Sequence, residues 1–226
     1  MNQRLSAVCL LSLLSACQPE HPVDIANATP ATRAAATTPP PPPPPVSDAQ
    51  ASRIALQAQF VDEALGVAIL PWPGFTLRRD FRRSYLATGD WKAFAQADSR
   101  GKAVAALVLD GSNEVTAAEL RVGVSDDADS VARCLEVSDS ALPTPRDEVR
   151  IDGQPFRHFR ASDAAMSHYL TVDAYRAVRQ QRCYAIDLLV VGTRPEVYDP
   201  PRTPPFEGAV AQARLREALA AIRFVK

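Results

Sequence analysis

Polar and apolar positions alternate along much of the second half of this chain. In Val115–Val124, Leu120, Val122 and Val124 alternate with Glu119, Arg121 and Gly123. A period of two with one polar face predicts a half-buried strand in an antiparallel sheet. Lys102–Leu109 is a nearly continuous apolar run, and Asp110-Gly111 between the two runs is a hairpin signal. Val67–Leu70 and Phe75–Arg79 read as extended pieces around the Pro71-Trp72-Pro73-Gly74 turn. Ser84–Ala87 and Trp91–Ala97 read as strands flanking Thr88-Gly89-Asp90. Val149–Ile151 and Pro155–Arg160 flank Asp152-Gly153, a second hairpin signal, and Cys183–Val191 is rich in β-formers. Residues 161–179 carry both signals. Ala, Met and Leu suit a helix, whereas the alternation around Tyr169, Thr171, Asp173 and Tyr175 favours a strand from about Ser167 to Val178.

Helical spacing occurs in three places. Ile54, Ala58, Val61 and Leu65 predict a helix over Asp48–Leu65, with Ser47-Asp48 as its cap. Asp126, Asp127 and Asp129 suit the positive end of a helix that turns Val131, Cys134 and Leu135 inward. Leu215, Ala218, Leu219 and Ile222 form a stripe that predicts an amphipathic helix over Phe206–Ile222. The expected class is therefore α+β: a central antiparallel sheet with helices packed on it and an amphipathic C-terminal helix.

The first 47 residues follow different rules. Met1-Asn2-Gln3-Arg4 is basic, and Leu5–Leu14 is apolar but about half the roughly 20 residues that a membrane-spanning helix needs. A basic start, a short apolar run and small residues before a cut site make a secretory signal. Leu14-Ser15-Ala16-Cys17 resembles the lipobox of bacterial lipoproteins. That resemblance implies diacylglyceryl transfer to the Cys17 sulfur, cleavage before Cys17, and acylation of the new amino terminus with a chain such as palmitate. It also implies that Gln18, in place of Asp, favours sorting to the outer membrane. The chain then divides into a signal peptide (1–16), an Ala/Thr/Pro-rich linker (17–47) and one folded domain (48–226). Within the linker, the seven prolines from Pro39 to Pro45 predict a polyproline II spacer of about 22 Å. The reading makes the chain an exported protein of the cell envelope, on the periplasmic face of the outer membrane, with the membrane as a partner through its anchor.

Four cysteines then sort by position. Cys9 leaves with the signal and Cys17 carries lipid, so Cys134 and Cys183 remain. An oxidising compartment favours a disulfide between them, closing a loop of about 50 residues. Two buried free thiols, or half of a metal site, are the other readings. The sequence has no Cys-x-x-Cys to support a metal.

Candidate chemistry is sparse. His158 and His168, with Asp163 or Asp173, are the one set that could meet as metal ligands, but two unrelated histidines are the simpler reading. No Gly-x-Ser-x-Gly elbow and no phosphate-binding loop occur. The cluster Arg78-Arg79-Asp80-Phe81-Arg82-Arg83 reads as a solvated loop, and Trp72, Trp91, Tyr169 and Tyr175 as core aromatics. A formal net charge of -1 gives no broad attraction to nucleic acid. Leu65–Phe75 resembles the opening of PsbP/Mog1/DcrB-like domains, and Tyr175-Arg176, Cys183-Tyr184 and the final helix resemble a set of bacterial secreted proteins. That resemblance implies an antiparallel sheet sandwiched by helices and a binding or accessory role. The sequence thus assigns Cys17 as a lipid attachment site and Cys134 with Cys183 as a disulfide, and it assigns no catalytic, cofactor or metal residue. It points to a non-catalytic binding module with an envelope protein as partner. A small envelope hydrolase or ligand-binding protein with a pocket invisible in sequence is the alternative.

Overall fold

Strand period governs this chain further than its helical stripes suggest. The computed structural model describes residues 48–81, 90–137 and 147–225. The lipobox, Cys17, the linker, Ser84–Ala87, Arg82 and Arg83 lie outside the described residues. Helix α1 (Asp48–Gln57) leads to β1 (Phe60–Asp62), β2 (Val67–Ile69) and β3 (Phe75–Arg78). Then come β4 (Lys102–Leu109), β5 (Thr116–Ser125) and the short α2 (Ala128–Ala132). Next are β6 (Glu148–Ile151), β7 (Gln154–Ala165), β8 (His168–Arg179) and β9 (Arg182–Thr193). The chain closes with α3 (Gly208–Ala218) and β10 (Ile222–Phe224).

Seven strands form one antiparallel sheet in the order β3-β4-β5-β9-β8-β7-β6, and β1-β2-β10 form a second. The class is therefore mostly β. The expected α+β arrangement, with helices packed over a sheet, is overturned because three predicted helices shrink or convert. The helix over Asp48–Leu65 stops at Gln57, and Phe60 instead pairs opposite Ile69 in the small sheet. The helix at the three aspartates runs for five residues only. The C-terminal helix ends at Ala218; a 3-10 turn follows, and Ile222 and Phe224 are buried while Arg223 is half-exposed. Period two wins there because Ile222–Phe224 completes the backbone pairing of β2 opposite Val67–Ile69. Residues 161–179 are strand on both sides of a tight turn at Met166-Ser167. Trp91–Ala97 is not a strand but a run of turns.

Both faces of the large sheet are covered. On one face, Leu120, Val122, Ile186, Leu188 and Tyr175 pack against Ala211, Leu215 and Ala218 of α3 and against Ile69 and Phe224 of the small sheet. Each fully buried aliphatic side chain there stabilises the fold by about 1.5–3 kcal/mol. On the other face, the segment 91–101 lies over β5, β9 and β8. Trp91 is its anchor, 1% exposed, packed with Cys134, Cys183 and Ala185. The indole sits against Gly101, where an added Cβ would come within 2.3 Å of Trp91 Cδ2. At Gly123 a Cβ would come within 1.7 Å of the Trp91 carbonyl oxygen. The strand therefore needs glycine there so that the loop backbone can lie directly on it.

Gly123→Ala is expected to lift that loop and destabilise the fold by about 2–3 kcal/mol, the upper range for overpacking. In a chain of this size that is roughly 4–12 °C in Tm. Gly208→Ala, whose Cβ would meet nothing nearer than Val190 Cγ1 at 3.9 Å, serves as the control and should stay within about 0.5 kcal/mol. Equal thermal midpoints for the two variants would show that the loop does not rest on β5.

Candidate functional site

Five charged residues of the apolar strands are buried: Glu119, Arg121, Asp173, Arg176 and Asp187. On the loop-covered face, Arg176 of β8 and Asp187 of β9 are 2% and 1% exposed, with Nη1 and Oδ1 2.7 Å apart. The second Asp187 oxygen accepts the Ala93 N–H at 2.8 Å, and Arg176 donates to the Ala93 carbonyl at 3.3 Å and to the Tyr175 carbonyl at 3.0 Å. One strand over, Arg121 donates to the Asp90 carbonyl at 2.9 Å, lies 3.6 Å from Glu119 and stacks over Phe81. These ions bond the backbone of the 90–93 segment, which has no strand partner of its own. A buried ion pair that also satisfies buried backbone groups is a clasp, and its charges are consumed internally.

The opposite face holds Asp173 of β8, 1% exposed. Arg160 Nε reaches Oδ1 at 3.0 Å and Arg216 Nε reaches Oδ2 at 2.7 Å. His158 Nε2 lies 3.5 Å from Oδ1, beyond hydrogen-bond length, and its ring stacks on Tyr175 with centroids 4.6 Å apart. Burial alone would raise the Asp173 pKa, but His158, Arg216 and Gln212 outweigh it and hold the carboxyl well below the usual range. Burial, and then the Asp173 charge, push the Tyr175 hydroxyl up to about 12. Asp173 is thus ionised and Tyr175 neutral at every physiological pH, so neither exchanges a proton there. The cluster ties α3, through Arg216, to the β7–β8 hairpin.

The proposed histidine partners separate. His158 and Asp173 share a face, with Arg160 directly opposite Asp173. His168 starts β8 beside Thr193, its Nδ1 2.9 Å from Oγ1. Seven strand positions separate His168 from Tyr175, the residue paired with His158, which is about 23 Å. The alternation also sends His158 and His168 to opposite faces. Among the described residues no group of three His, Cys, Asp or Glu side chains converges on one point. Asp127 caps α2, its Oδ2 accepting from the Ser130 N–H at 2.9 Å, which accounts for the acidic cluster. Tyr175 belongs to the main core, on which Trp72 and Tyr169 pack, while Trp91 is buried in the separate cluster around the disulfide. Arg79 covers Phe60 at 5.1 Å.

Cys134 and Cys183 are joined by a disulfide, with Cα atoms 5.5 Å apart. Both are fully buried beside Trp91 and link the end of α2 to the start of β9. A hollow of about 430 Å³ opens at the end of β6, β7 and β8, lined by Leu135, Glu148, Arg157, Arg176 and Val178. Leu135 and Val178 leave apolar surface open at its lips. Sequence reasoning missed Arg121, Arg176 and Asp187. Their one signal is a charge set between large apolar neighbours, as in Ile186-Asp187-Leu188. No protein-family model matches this chain, and no curated protein or solved structure does.

Proposed function

We propose that this chain is a lipid-anchored protein of the bacterial cell envelope, held through Cys17 at the periplasmic face of the outer membrane. Its folded part acts as a non-catalytic binding or accessory module for an envelope protein. The reading is carried by Leu14-Ser15-Ala16-Cys17 behind a short apolar run with a basic start. The Cys134–Cys183 disulfide supports it, since such bonds persist in oxidising compartments. No helix among the described residues is long and apolar enough to cross a membrane. One acyl chain binds reversibly, whereas several hold durably.

Cys17→Ser is expected to abolish incorporation of a radiolabelled fatty acid and to move the protein from the membrane to the soluble fraction. Undiminished labelling of the variant would refute the anchor. For the partner, crosslinking in intact cells should join the folded part to an envelope protein, and substitution of Leu135 and Val178 by Asp should weaken that crosslink.

A further inference from the structure

We propose that Lys92 is a carbonyl-capturing amine, whose Nζ forms a reversible imine with the aldehyde or ketone carbon of a small ligand. The ligand enters the hollow between the 91–99 segment and the end of α2. Nothing in this proposal depends on the anchor or on the compartment.

The composition singles out the residue first. The chain has 22 arginines but only three lysines, at 92, 102 and 226. Guanidinium does not give up its proton in proteins, whereas a desolvated lysine does. A lysine placed among arginines is the one cation there that can become a nucleophile.

Geometry then places its nitrogen against an aromatic ring and away from hydrogen-bond acceptors among the described residues. Lys92 follows the Trp91 anchor and lies over that indole, Nζ 5.0 Å from the ring centroid. Among the described residues, no carboxylate pairs with it and no carbonyl accepts from it. Two of the carboxylates around it are engaged elsewhere: Asp187 holds Arg176 and the Ala93 N–H, and Asp98 holds Arg133 at 2.9 Å, which leaves Glu136 as the carboxylate lining the same hollow. The hollow beside it measures about 40 Å³ and is lined by Lys92, Phe94, Gln96, Ser99, Arg133 and Glu136. That volume holds a carbonyl group and a water, with the rest of the ligand directed outward.

Electrostatics act in the same direction. Burial chiefly, then Arg176 of β8, lower the Lys92 pKa from 10.5 to about 8; Asp187 opposes them, Arg133 beyond α2 adds a smaller lowering, and Glu136 opposes least. Desolvation and a neighbouring cation are how an enzyme-type lysine becomes a free amine near neutral pH. The Nζ lone pair attacks the carbonyl carbon, a C–N bond forms, and the π pair moves to oxygen. One amine proton passes to that oxygen, giving a carbinolamine. Loss of the second amine proton, with departure of the hydroxyl, releases one water and leaves the C=N bond. Glu136 is the carboxylate lining the hollow that relays these protons. Water reverses the sequence, so no oxidant or reductant is consumed.

The test uses the purified full chain with propionaldehyde, trapping of imines by cyanoborohydride, and peptide mass spectrometry. Lys102, on β4, is the internal reference. A pKa of about 8 instead of 10.5 gives roughly three-hundredfold more free amine at neutral pH, part of which the weaker basicity takes back. Lys92 should therefore be alkylated at least about tenfold faster than Lys102 at pH 7. That advantage should vanish in urea, and Lys92→Arg should leave the Lys102 rate unchanged. Equal rates in the folded chain, or an advantage that survives unfolding, would overturn the proposal.

Discussion

Replacing both Cys134 and Cys183 with alanine is expected to cost about 4 kcal/mol of folding stability. The bridge spans 49 residues, and in the chain-entropy account a loop of that length restricts the unfolded ensemble by about that amount. For a folded part of this size the corresponding fall in Tm is roughly 8–16 °C. Changing both residues together avoids leaving a lone thiol, which would confuse the result by forming mixed disulfides. The loss should also have an address. The bridge is buried with Trp91, Val131 and Ala185, so amide exchange should accelerate first in residues 91–101 and 126–137. A secondary hold exists there. Arg133 reaches Gln96 at 2.7 Å and Asp98 at 2.9 Å, and the Arg100 N–H meets Ser130 Oγ at 2.9 Å. Those contacts are largely exposed and weigh little singly. A loss below about 1 kcal/mol in urea titration would mean that they, and not the bridge, fix the end of α2.

The strands from β4 to β9 were legible because alternation, apolar runs and Asp-Gly turns all marked them. Asp152 and Gly153 do adopt positive φ, 48° and 75°, in the two-residue turn that such a pair favours. What could not be read was which strand faces meet water. Glu119 and Arg121 stand on the side of β5 that alternation assigns to solvent, yet Arg121 is fully buried. The cover is the 91–101 segment, which carries no periodic pattern and is positioned by Gly123, 22 residues beyond its end. Complementarity of that kind leaves no local mark. The Asp173 cluster failed for a narrower reason. Once the turn falls at Met166-Ser167, strand register alone places His158 opposite Tyr175 and Arg160 opposite Asp173. Methionine at positive φ is an unusual turn residue, so composition did not mark the turn, although the alternation placed the start of a strand at about Ser167, one residue before β8 begins. The C-terminal stripe misled because Ile222 fits both a helical repeat and the first position of β10. Only β2, some 150 residues earlier, decides between them. Lys92 went unremarked because a single lysine beside a tryptophan means little until the arginines around it are placed in space.

Asp187→Ala should be the most damaging single substitution in the β-sheet interior, at about 3–5 kcal/mol, because it strands the Arg176 charge out of water. It also removes the acceptor of the Ala93 N–H, a buried backbone group with a 2.8 Å bond to Asp187. Arg176→Met should cost less, since Asp187 keeps the Ala93 N–H and methionine fills much of the same space beside Phe159. Removing both should then cost clearly less than the sum of the two, with a coupling of at least about 1–2 kcal/mol, because the double variant has no unpaired ion. The double variant should still fall short of the parent protein, for Ala93 loses both its donor and acceptor partners in it. Urea midpoints at unchanged m would measure all three, and exchange at the Ala93 amide would report the loop directly. If the two single losses simply added, the ions would be independent of each other. The 91–101 segment would then owe its position to Trp91 and the disulfide, with the buried pair a passenger beneath it.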